Sequence, residues 1–205
     1  TDYSLWSLLN HWDSDWYKKI INDGYFYDPE NVSAVAFFPL YPLLIKGLHY
    51  IMSIDQAGFL LSNTLFFTSC IFLFKITEKL YSSDIAKKAV ILLCFFPTSY
   101  YFSALYTESL FLCLSLLSFW FLLEGKFLWA CFMGLLIAQT RLAGLFILIP
   151  LGVEYFNISY EKLLLPDLKK INWDILALSL PLLGLGSYMI YLKINFGDFL
   201  AFAHS

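Results

Sequence analysis

Residues 57–74, AGFLLSNTLFFTSCIFLF, run for eighteen positions without a charged side chain. Wound as a helix, such a stretch is about 27 Å long, close to the hydrocarbon thickness of a bilayer. It predicts a membrane span from Ala57 to Phe74. Ala89 to Tyr106, with Pro97 inside, and Ser109 to Leu123 are apolar too, and Trp173 to Leu192 predicts a further span containing Pro181, Gly184 and Gly186. Phe127 to Val153 is too long for one ordinary span and is broken at Gln139-Thr140-Arg141. It reads as a hairpin of two short helices with Arg141 at the tip. Arms of roughly a dozen residues reach only about 18 Å, so the tip must end in a protein-lined cavity that water enters.

The composition agrees. The chain is 60% hydrophobic and 14% charged, with a mean hydropathy of +0.68; soluble domains average about 45–50% apolar and 25% charged. The expected fold is an all-α polytopic membrane protein, a single transmembrane domain over 1–205. Within it, 1–35 form the first outer loop, and 36–205 supply the membrane helices and connecting loops. Ala36 to Ser53 is interrupted by Pro39, Pro42, Lys46 and His49 and predicts a tilted or partly inserted helix. The net charge of −3 is small and unclustered, so nucleic acid is not an expected partner. Cys70, Cys94, Cys113 and Cys131 lie in apolar runs without paired spacing and read as small buried hydrophobes. No His/Cys/Asp spacing suits a metal site, and no cofactor is expected. The chain begins at Thr1 and stops soon after a hydrophobic run. It is expected to be a piece of a longer membrane protein, with spans on both sides.

The segment His11 to Pro42 is neither a span nor an ordinary short linker. It sets two carboxylates in an aromatic cluster: Trp12, Asp13, Asp15, Trp16 and Tyr17. Taking Leu5 to Ile20 as a helix at about 100° per residue, Asp13 falls in the middle of the apolar arc and Asp15 at its polar edge. An aspartate among apolar neighbours must be paired, protonated or turned toward a wet cavity, because burying it bare costs too much. The pair suits a general base, Asp13, with Asp15 as its electrostatic neighbour, or two wet acids of an interfacial helix; pointing roughly 160° apart, they are not placed to share one proton.

Charge placement orients the chain. The links 75–88, 124–126 and 154–172 carry eight of the thirteen basic residues, and span parity puts them on one side. The positive-inside rule makes that side cytoplasmic. Residues 1–35, the turn from Tyr106 to Ser109, Arg141 and Asp198 then share the opposite face. Glu108 starts a helix there, where an acid also suits the helix dipole. Arg141, the one arginine of the chain, fits a salt bridge to Glu108 or an aspartate, or a bidentate grip on phosphate oxygens. Asp198 reads as a turn acid.

These motifs, in this order, resemble a family. Trp12-Asp13, then Gly24-Tyr25, then Ala36-Phe37-Phe38-Pro39-Leu40-Tyr41-Pro42 are similar to the PIG-V-type mannosyltransferases, the family of GPI mannosyltransferase 2. So are Phe96-Pro97-Thr98-Ser99-Tyr100-Tyr101, Tyr106-Thr107-Glu108-Ser109, Thr140-Arg141 with Gly144, and Phe196-Gly197-Asp198. The resemblance implies a GT-C fold. It also implies transfer of a hexose, usually mannose, from a polyprenyl-phosphate sugar to a lipid or glycan acceptor on the external or ER-lumenal face. On that basis Asp13 accepts the acceptor's proton, Asp15 is a second acid, and Arg141 holds the departing phosphate. Glu108 positions a sugar, and Trp12, Tyr25, Phe38, Tyr106 and Asp198 join Glu108 and Arg141 as substrate-binding positions. Membrane lipids and an accessory membrane subunit are the remaining expected partners. The rival reading is a transporter or flippase for a lipid-linked or anionic substrate, where broken helices and an intramembrane arginine also occur. Against it, no inverted repeat relates the two halves, and the long aromatic outer loop is unusual.

Overall fold

The structure is a computed structural model that describes residues 11–156 and 173–204. The Leu5–Asn10 part of the first expected helix and the basic link around Lys162, Lys169 and Lys170 lie outside the described residues.

Among the described residues the chain forms eight α-helices and no strand. They are α1 (Asp13–Asp23), α2 (Leu40–His49), α3 (Ile54–Leu80) and α4 (Ser83–Phe95), then α5 (Glu108–Leu123), α6 (Phe127–Ala138), α7 (Leu148–Tyr155) and α8 (Leu180–Phe196). Short 3-10 turns sit between them, at Ala34–Ala36, Ser99–Phe102, Leu142–Ile147 and Trp173–Ser179, with one more after α8 at Ala201–Ala203.

Helix α3 is the post of the bundle. Its 27 residues reach about 40 Å. Ser53 starts it with a capping box: its hydroxyl accepts the Gln56 N–H at 3.3 Å, and the Gln56 side chain accepts the Ser53 N–H at 3.2 Å. Together these satisfy donors that a helix start leaves open. Near this end Asp55 pairs with Lys18 of α1 at 2.6 Å. Near the other end Lys79 pairs with Glu124, just past α5, at 2.6 Å. Helix α1 therefore stands at one end of the post and the 124–126 link at the other. Helix α3 and the stretch Asp174–Phe196 are the two described helices long and apolar enough to cross a membrane.

Packing around the post is close. Ser118 of α5 donates to the Ala130 carbonyl of α6 at 3.0 Å. Gly184 of α8 lies so near the Leu135 carbonyl of α6 that a Cβ there would collide with backbone. Small residues of this kind let two membrane helices approach without a side chain between them. Tyr41, Ile45, Leu105, Ile137 and Leu151 are fully buried and join α2, α6 and α7 into one core.

Several boundaries differ from the sequence-based expectation. The first helix does not run through from Leu5. Trp12 adopts φ 52° and ψ −111°, and α1 begins at Asp13. Ser14 is fully buried and donates to the Leu105 carbonyl at 3.3 Å. The span expected to end at Phe74 continues to Leu80, so Lys75 and Lys79 belong to α3. The stretch expected over Ala89 to Tyr106 stays helical only to Phe95. Phe96 is extended (ψ 139°), as the residue before a proline tends to be. The expected hairpin does break where the polar triplet sits, with α6 ending at Ala138 and a 3-10 turn resuming at Leu142.

Candidate active site

Arg141 is placed by a turn tied down on three sides. Thr140 donates its backbone N–H to Ile137 at 2.9 Å and its hydroxyl to the same carbonyl at 2.6 Å. The Gln139 carbonyl accepts the Leu40 N–H of α2 at 3.1 Å, and the Gln139 amide donates to Ser187 of α8 at 2.9 Å. Gly144 donates its N–H to the Arg141 carbonyl at 2.9 Å. A Cβ at Gly144 would strike the Ile137 carbonyl, so the chain folds back on α6 this tightly only with glycine there. Arg141 itself is extended (φ −158°, ψ 149°). Its Nη1 meets Glu108 Oε1 at 3.0 Å, with the two side chains 43% and 27% exposed. The second Glu108 oxygen, Oε2, is buried and has no hydrogen-bond partner among the described residues.

Opposite stands the first turn of α1. Besides the Ser14 bond, the Tyr106 hydroxyl donates to the His11 carbonyl at 2.7 Å. Residues 105 and 106 thus clamp the start of α1 against the start of α5. Between these parts lies a cavity of about 370 Å³. Asp13 and Tyr17 line it from α1, Thr107 from the α5 entry, and Thr140 and Arg141 from the tied turn. Phe37 and Phe38 form an aromatic wall, and Phe202 and Ala203 close it from the last turn. Trp16 stacks on Phe37 with centroids 5.6 Å apart, and Tyr17 meets Phe37 edge-on at 5.3 Å.

The structure sorts the residues singled out from the sequence. Asp13, Phe38 and Arg141 line the cavity, and Glu108 stands beside it, holding the guanidinium. Asp15 is exposed and does not line it, in keeping with the angle between the two acids. Trp12 is 69% exposed and does not line it. Tyr25 borders a different, apolar cavity and donates to the Phe37 carbonyl at 2.8 Å, which fixes the aromatic wall from behind. Tyr106 is buried as the clamp on His11. Asp198 organises the last turn, accepting from the Leu200 N–H at 2.9 Å, meeting His204 Nδ1 at 2.8 Å and accepting the Tyr27 hydroxyl at 3.5 Å. The Leu200 N–H, and then His204, hold its carboxyl below the usual aspartate range. That turn carries Phe202 and Ala203 to the cavity.

Tyr17, Thr107 and Thr140 stood in the motifs read from the sequence but were given no site role there. Tyr17 carried a signal, being one helical turn beyond Asp13 and so on the same face. Phe202 and Ala203 carried none, because only the fold brings residue 202 beside residue 13. An acid and a guanidinium facing one cavity are equipped to take a proton from a hydroxyl and to balance charge on a leaving anion.

The family described as Mannosyltransferase (PIG-V) matches residues 1–196. The chain belongs to the PIG-V mannosyltransferase family. Among similar proteins is GPI mannosyltransferase 2 of Drosophila pseudoobscura pseudoobscura, 29% identical over 119 residues, which is 51% of this chain and 25% of that protein. GPI mannosyltransferase 2 of Drosophila melanogaster is 30% identical over 118 residues, 50% of this chain and 25% of that protein. The aligned stretch of this PIG-V family chain thus spans about a quarter of each of these two relatives. No solved structure matches it.

Proposed function

We propose that the protein transfers mannose from a polyprenyl-phosphate donor to a hydroxyl of a lipid or glycan acceptor, on the non-cytoplasmic side of a membrane that it crosses several times. The observation that carries this reading is the shared cavity of Asp13 and Arg141, in a chain of this family. The acceptor oxygen forms a bond to the sugar's anomeric carbon as the bond from that carbon to the phosphate oxygen breaks. Asp13 takes the hydroxyl proton, and the electron pair leaves on the polyprenyl phosphate. Arg141 faces the added negative charge with a fork of N–H donors. Glu108 keeps the fork aligned. A phosphate leaving group needs no nucleotide-binding fold, and the arginine supplies the charge balance, so the proposal contains no divalent metal. The aromatic wall of Phe37 and Phe38 suits the apolar faces of a sugar ring. Membrane lipids surround the bundle, and the orientation rests on the positive-inside reading of the basic links, two of which, 75–88 and 124–126, meet at the Lys79–Glu124 pair.

The test is mannose transfer by the reconstituted full-length protein, with labelled polyprenyl-phosphate mannose and a lipid extract as acceptor. Transfer by the parent and its loss in Asp13→Asn and Arg141→Ala are expected. Undiminished transfer in Asp13→Asn removes the proposed base.

A further inference from the structure

A second cavity of about 350 Å³ lies between α1, α2 and α8. That is the size range of small-molecule sites. Its chemistry is unlike that of the first. Ile20, Ile21 and Pro42 form buried apolar walls. Three of the four hydroxyls on its border already donate within the protein: Tyr25 to the Phe37 carbonyl at 2.8 Å, Tyr188 to the Val35 carbonyl at 2.8 Å and Ser187 to the Gly184 carbonyl at 2.7 Å. The fourth, on the half-exposed Tyr191 at the rim, is the one hydroxyl of this lining without a hydrogen bond among the described residues. The one charged lining residue is Lys46, which is exposed and makes no ion pair or hydrogen bond among the described residues. Leu43, also on the border, is 61% exposed and continues the cavity onto the apolar flank of the bundle.

The geometry points to a binding site for one anionic glycerophospholipid, with an acyl chain in the cavity and the headgroup phosphate at Lys46. A hydrocarbon chain fits walls of Ile20, Ile21 and Pro42 whose inner hydroxyls, Tyr25 and Tyr188, already donate to backbone, and a lysine with an apolar stem reaches an anionic headgroup from the membrane edge. The site is separate from the one at Arg141. Lys46 is six positions along α2 from Leu40, which bonds the Arg141 turn; that is about 9 Å of helix. The wall from Phe37 to Pro39 stands between the two cavities, with Phe37 lining one and Pro39 the other. A bound chain would press on Tyr25 and Pro39 and so brace that wall.

The full-length protein in lipid nanodiscs tests this with diazirine-acyl phosphatidylglycerol and diazirine-acyl phosphatidylcholine, mapping labelled peptides. Labelling within 39–46 and 187–191 is expected, and about fivefold stronger for the anionic lipid, the effect of one lysine at a charged surface. Lys46→Gln should lower the anionic lipid to the zwitterionic level. Leu43→Trp, which fills the cavity mouth, should remove both. Equal labelling by the two headgroups, or labelling unchanged in Lys46→Gln, overturns the assignment. Displacement of the labelled phosphatidylglycerol by excess polyprenyl phosphate, but not by unlabelled phosphatidylglycerol, overturns it too and gives the cavity to the donor's chain. Sugar transfer enters none of these readings, so the site stands or falls apart from the proposed reaction.

Discussion

Arg141 Nη1 and Glu108 Oε1 lie 3.0 Å apart, joining the turn after α6 to the first residue of α5. The pair is partly exposed, so its own contribution to stability is small. Its consequence is positional: the guanidinium is held at the cavity, and among the described residues its remaining donors and Glu108 Oε2 have no partner. Arg141→Ala should cost transfer about 10²–10³-fold, the usual effect of removing a charge-stabilising donor. Arg141→Lys keeps the charge but loses the fork, so its loss should be smaller. Steady-state transfer rates with the polyprenyl-phosphate donor check both, and equal losses would contradict the bidentate role.

The two aspartates of α1 should behave differently. Asp13→Asn is expected to lower transfer by about 10²–10⁴-fold, the range for a lost general base. Asp15 is exposed and off the cavity. Asp15→Asn should leave both transfer and stability within about 0.5 kcal/mol of the parent, as surface changes usually do. Parallel rate and melting measurements on the two variants decide it.

Gly144→Ala should disturb Arg141 without touching its charge. The added Cβ would meet the Ile137 carbonyl, which cannot rotate away as a side chain does. A destabilisation of about 1–3 kcal/mol is expected for such overpacking. Gly152→Ala is the control, since a Cβ there meets nothing within 4 Å. Thermal unfolding in detergent compares the two.

The Asp198 clasp should open in acid. Its carboxyl is held below the ordinary value by the Leu200 N–H and by His204. A depressed folded pKa means that the stabilisation is complete above the unfolded value, about 3.9. It is lost as pH falls through the lowered folded value. Exchange of the Leu200 amide, corrected for its intrinsic rate, should stay slow at pH 5 and quicken below that window. Asp198→Asn should show fast exchange at both pH values.

Cys70 and Cys94 test the packing of α3 on α4. Their sulfurs are 3.8 Å apart, although nothing in their spacing pairs them. Mild oxidation with copper phenanthroline, which accepts the two electrons, should join these two thiols. Cys113 and Cys131, both buried, should stay reduced. Peptide mapping under non-reducing conditions reads the outcome.

The break at residues 139–141 was legible because a polar triplet containing the chain's one arginine stands out in an apolar run. The start of α1 was not. A helical wheel assumes one continuous helix, and the positive φ of Trp12 ends that assumption at the residue before Asp13. Asp13 was therefore singled out for its apolar neighbours, whereas its place at the cavity comes from being the first residue of the helix. Tyr25, Tyr106 and Asp198 stood out by motif. Their observed hydrogen bonds, to Phe37, His11, Leu200 and Tyr27, brace the segments that line the cavity.

The order of residues along the chain sufficed for helix type and for the long apolar segments, and it singled out Asp13 and Arg141, because hydropathy and charge are local properties. It did not bring Glu108 to Arg141, Phe202 to Asp13, or Tyr25 to the back of Phe37. Those neighbours meet only when α1, α5, α6 and α8 are packed, since contact between distant segments depends on how small residues such as Gly144 and Gly184 let backbones approach. The family could be read from the string of residues; the cavity exists only in the fold.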